Sequence, residues 1–137
     1  MSKSAIEVLA QIRAEAAEIN TQEPRRFEGV EQDWVERQGD LYIHRVADGH
    51  SHGQAFGSRQ LVRGVTTGSR HEVAGKVSVF EGTTAPPKAP QALLGPLIVA
   101  EERFQITHPE HAMFDLPAGT YQVTHQRDAR TGGRVED

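Results

Sequence analysis

The chain has 137 residues and a mass of 15.1 kDa, with 36% hydrophobic and 6% aromatic residues and a formal net charge of -4 from 15 Lys plus Arg against 19 Asp plus Glu. This is one domain's worth of protein, enough for a single core, and its acidic balance argues against non-specific nucleic-acid binding, which calls for a basic excess. The absence of cysteine excludes disulfides and thiolate zinc sites, and no apolar run approaches the roughly 20 residues of a membrane-spanning helix.

Residues 3 to 19 read as an amphipathic helix. Ile6, Leu9, Ile12 and Ile19 recur at three- and four-residue spacings with Ala5 and Ala16, and Ser4 with Glu7 fits a capping box. The same stretch has no continuous apolar core and carries Glu and Arg, so it does not read as a secretory signal, and the cytoplasm is the expected compartment. The organisation that follows is a helix over 1–20, a polar linker over 21–32 containing Pro24, Arg25-Arg26 and Gly29, a β domain over 33–128 and a tail over 129–137.

Within the β domain, Leu41 to Val46 reads as a strand with Leu41, Ile43 and Arg45 on one face and Tyr42, His44 and Val46 on the other. The segment ADGHSHGQAFGS from Ala47 to Ser58 reads as a polar surface loop carrying His50 and His52. Arg59 to Val65 and Lys76 to Phe80 read as short strands, separated by a turn that ends in Arg70-His71. A proline-rich excursion over 81–90 follows, and Leu97 to Ala100 is a core strand after a Gly95-Pro96 turn. Phe104 to Arg127 reads as strand, polar corner at Pro109, short strand, tight turn at Pro117-Ala118-Gly119 and final strand, a β-hairpin pattern. One helix and six or seven short strands make a mainly β protein, a small antiparallel β-barrel or sandwich with one N-terminal amphipathic helix.

The corner at Pro109 holds two histidines three residues apart. His71, His108 and His111, with His125 or Glu110 as candidates for a fourth, are the side chains that a divalent transition metal (zinc, iron or nickel) would use in a protein without cysteine. Arg59, Arg63, Arg70, Arg127 and Arg130 with Tyr42, Phe56 and Tyr121 would be the residues of a single-strand nucleic-acid face, against which the net acidity weighs. Nucleophilic chemistry has little to work with, since there is no cysteine and no Gly-x-Ser-x-Gly elbow.

Two resemblances bear on this. His50-Ser51-His52 and Pro117-Ala118-Gly119 are similar to parts of the cupin motifs, but Gln122 stands three residues past Gly119 and no glutamate stands four or five residues after His52. The ordered set Arg37-Gln38-Gly39-Asp40, Gly68-Ser69-Arg70-His71, His108-Pro109-Glu110-His111-Ala112 and Leu116 to Val123, followed by Gln126-Arg127, resembles a group of small uncharacterised β-rich bacterial and phage-associated proteins over about residues 34 to 128. That resemblance implies no activity.

The expected function is a non-enzymatic binding or assembly subunit. It would self-associate or meet a protein partner through the Ile6, Leu9, Ile12 and Ile19 stripe, as a homo-oligomer or a component of a larger complex. A histidine-based metal protein and a single-strand nucleic-acid module are the alternatives. No cofactor is required by the first reading.

Overall fold

The structure, a computed structural model, describes residues 23–62 and 70–127. The expected helix with its Ile6, Leu9, Ile12 and Ile19 stripe lies outside the described residues, as do the 129–137 tail and Arg63. Among the described residues the chain forms ten strands and one short 3-10 turn. They are β1 (Arg25–Arg26), β2 (Val35–Gln38), β3 (Leu41–Val46), β4 (His52–Ala55), β5 (Glu72–Ala74), β6 (Val77–Gly82), β7 (Leu94–Ala100), β8 (Phe104–His108), β9 (His111–Leu116) and β10 (Gly119–His125).

The strands make two sheets, ordered β1-β9-β8-β5 and β2-β3-β10-β7-β6-β4. The mainly β expectation holds. The barrel alternative does not, because each sheet ends in its own edge strands and no pairing among the described residues closes the ladder. Every pairing is antiparallel except that of β1 with β9, which is parallel.

One hydrophobic core joins the sheets. Leu41 and Ile43 of β3, Ile98 of β7, and Tyr121 and Val123 of β10 pack with Val73, Phe104, Ile106, Phe114 and Leu116 of the smaller sheet. Alternation places them: each contributing strand turns every second side chain to the same side. β10 lies between β3 and β7 and is buried on both faces from Thr120 onward.

Several local expectations change. Pro117-Ala118 does not turn a hairpin; it carries the chain from β9 in one sheet to β10 in the other. The hairpin in this region is β8–β9, around Pro109-Glu110. The Gly95-Pro96 pair lies inside β7, beside a register shift between Gln122 and Thr124 of β10. Pro96 has no N–H for the ladder, so it sits where the ladder is broken. Gln122 meets the exposed carbonyls there, its Nε2 donating to Gly95 O at 2.8 Å and Pro96 O at 3.0 Å.

The supposed 47–58 loop contains β4, and the His52 ring stacks on Phe80 of β6 with centroids 3.8 Å apart. Of the strand expected over 59–65, the described part holds only a bridge between Gln60 and Glu72, with Leu61 and Val62 buried. The stretch read as a linker is fastened to the small sheet through β1. Arg103 donates to Phe27 O at 3.1 Å and pairs with Glu28 at 2.9 Å, and the Phe27 ring meets Trp34 and Phe114 edge-on. Those contacts arise because Phe27 is the one large apolar side chain in that segment before Val30.

Candidate functional site

Two places in the fold concentrate polar chemistry. The first is built on the β2–β3 hairpin. Its two-residue turn, Gly39-Asp40, has Gly39 at φ +59 and no positive φ at Asp40, the pattern of a II′ hairpin turn. A side chain at Gly39 would also stand 2.7–2.8 Å from the His111 ring and 3.2 Å from that of His71, so glycine satisfies both the turn and the space.

The turn directs Gln38 and Asp40 inward, and both are almost fully buried. Gln38 Nε2 donates to the carbonyls of Ile106 (2.8 Å) and Ala112 (2.9 Å), which leaves its amide oxygen to accept from His71 Nδ1 at 2.8 Å. His71 Nε2 meets Asp40 Oδ1 at 2.8 Å. Burial raises the Asp40 carboxyl, but the hydrogen bond from His71 and the His71 charge, with an Asp40 backbone bond and the His125 field, outweigh it and hold the carboxyl below its ordinary value. Both His71 nitrogens therefore face oxygen acceptors, one on a carboxylate and one on an amide.

The other two histidines of the sequence reading lie beside it. The His108 ring is 4.5 Å from those of His71 and His111, and His71 and His111 are 6.4 Å apart and nearly parallel. His108 Nδ1 accepts the Glu110 backbone N–H at 3.0 Å, so Glu110 contributes its main chain here. Burial first, then the charges of His71 and His111, push the His108 pKa down to about 4. His125 is buried opposite Leu41 at the end of β10, where its charge reaches Asp40.

The strand pairing thus brings His71, His108 and His111 together. As a ligand set the arrangement has both His71 nitrogens already engaged, one by Gln38 and one by Asp40. Among the described residues no three His, Cys, Asp or Glu side chains are arranged to hold a metal ion. The residues that define the network, Gln38 and Asp40, were not among the sequence's site candidates. Their signal was the Gly-Asp turn between two strand patterns.

The second place is a groove of about 910 Å³ over the face of the larger sheet turned away from the core. Tyr42, His44 and Val46 of β3 and Thr124 of β10 line it, the alternate set to the core residues Leu41 and Ile43. Val35 and the 32–34 segment make one wall, and Pro86, Pro87, Pro90 and Leu93 the other. The proline-rich excursion is therefore folded along the sheet, with Pro86 and Leu93 buried. His44 Nε2 and Thr124 Oγ1 meet at 2.8 Å, and burial lowers the His44 pKa and favours its neutral form.

The arginines of the nucleic-acid reading have separate surroundings. Arg59 donates to the Val73 and Gly75 carbonyls, Arg70 lies close enough to lower His108, and Arg127 lines the groove.

No helix among the described residues is long and apolar enough to cross a membrane. No curated protein and no solved structure matches the chain. One family model does, over residues 37–126, which includes both the buried network and the sheet floor of the groove. The match covers most of the chain and falls within the stretch that resembles a small uncharacterised family. The chain belongs to the family described as a domain of unknown function, DUF8820.

Proposed function

We propose that this protein is a non-enzymatic binding protein whose ligand occupies the groove on the outer face of the larger sheet. The observation that carries the reading is the groove's size and lining. At about 910 Å³ it falls in the range of roughly 300–1,000 Å³ typical of small-molecule sites. Its lining also has the usual composition: apolar and aromatic surface from Val35, Tyr42, Val46 and the prolines, and a few polar groups such as His44 and Thr124. A sheet face exposed to water ordinarily carries polar side chains. Here half-buried Tyr42 and His44 are instead shielded by a proline-stiffened segment, which costs little entropy to hold in place.

The buried network supports a structural role beside this. It locks the β2–β3 turn to β8 and β9 through Gln38, and the same hairpin supplies one side of the groove. A fragment library followed by amide chemical shifts tests the reading. Shifts should cluster at Tyr42, His44, Leu93 and Thr124. Shifts scattered over the surface, or absent from those four, would reject it.

A further inference from the structure

Resting on that binding reading, we infer that the groove selects small organic monoanions: a flat apolar body lies on the Tyr42 side while a single carboxylate meets Lys88 and Arg127. The argument begins with charge. Most basic side chains of the described region are already engaged. Arg25, Arg26, Arg45, Lys76 and Arg103 are in ion pairs, and Arg37 and Arg59 donate to neighbouring oxygens. Lys88 and Arg127 have no such partner among the described residues, and both line the groove.

Backbone conformation gives an independent observation. Among the described residues two non-glycine residues have positive φ, Asp33 at +74 and Lys88 at +71, and both line this groove. Lys88 stands third in the turn Pro86-Pro87-Lys88-Ala89, closed by the Ala89 N–H on Pro86 O at 3.1 Å. That is the position of a type II turn at which glycine or asparagine is favoured. A long cationic side chain held there at a backbone cost points to a role for the charge. Asp33, also in the lining, limits the selection. It repels a second negative charge, so a dianion that spans the groove is disfavoured.

Calorimetric titration with 1-naphthoate, its methyl ester and naphthalene-1,5-dicarboxylate, each with amide-shift mapping, tests the selection. The monoanion should bind at least tenfold more tightly than the ester or the dianion, with shifts at Tyr42, His44 and Thr124. Lys88→Gly, which relieves the positive φ and so should fold at least as well, and Arg127→Gln should each remove most of the advantage over the ester. An ester that binds as tightly as the acid, with the same shifts, overturns monoanion selection and leaves the groove reading intact. A dianion equal to the monoanion overturns the part assigned to Asp33. No groove shifts with any of the three overturns both.

Discussion

At the scale of single residues, the Asp40–His71 pair makes a buried charge the protein must neutralise internally. Removing one partner leaves the other desolvated and alone, so Asp40→Ala should cost about 3–5 kcal/mol in chemical denaturation at neutral pH. A loss below about 1 kcal/mol would mean that the Asp40–His71 contact does not hold the fold together. His108 gives a pH dependence of definite sign. Its pKa is lowered from 6.5 to about 4 on folding, so between those values the unfolded chain binds more protons than the folded one. Its contribution to stability is complete above about pH 6.5, shrinks as the pH falls toward 4, and changes no further below that. Urea midpoints measured from pH 7 to pH 4 should fall more steeply in the natural protein than in His108→Gln. Parallel curves would remove the assignment.

At the scale of elements, the sheets are held in register by turns and by one irregular ladder. Gly39→Ala forces a Cβ into a left-handed position and against two imidazole rings, and should lower stability by about 2–4 kcal/mol, read from thermal unfolding. Gln122 plays a corresponding part at the β7–β10 irregularity. Replacing it with leucine leaves the Gly95 and Pro96 carbonyls without their side-chain donor, at a cost of about 1–3 kcal/mol. An unchanged denaturation midpoint in Gln122→Leu would show that those carbonyls find another donor. The edge strands carry their own protection. β1 has two residues, both arginine, and β5 has three, with Glu72 exposed, so neither offers a long apolar edge to another sheet.

At the scale of the whole molecule, Val35 is the one large apolar side chain exposed among the described residues, and it belongs to the groove. No other large apolar side chain of the described region is exposed, so the self-association reading is tested at the Ile6, Leu9, Ile12 and Ile19 stripe. Light scattering of the full chain and of the chain lacking residues 1–20 is the measurement. Loss of the stripe should reduce an oligomer to a monomer, and a monomer in both samples would end the assembly reading.

Period-two alternation, a local property, sufficed to separate Leu41 and Ile43 from Tyr42, His44 and Val46, and the sheet keeps that division between core and groove, although Arg45, expected on the core face, also lines the groove. The Pro109 corner was equally legible, because proline and a polar dipeptide between two alternating runs constrain the chain within a few residues. The destinations of the strands were not. Only long-range pairing sends Pro117-Ala118 across to the other sheet and brings Gln38, Asp40, His71 and His108 to one place from three separate parts of the chain. That convergence also decided the chemistry of His71. A histidine's spacing marks it as available, whereas the two oxygens that engage this one come from a hairpin more than 30 residues earlier. Alternation is written in neighbouring residues, but hydrogen-bond partners are set by which segments the fold lays side by side.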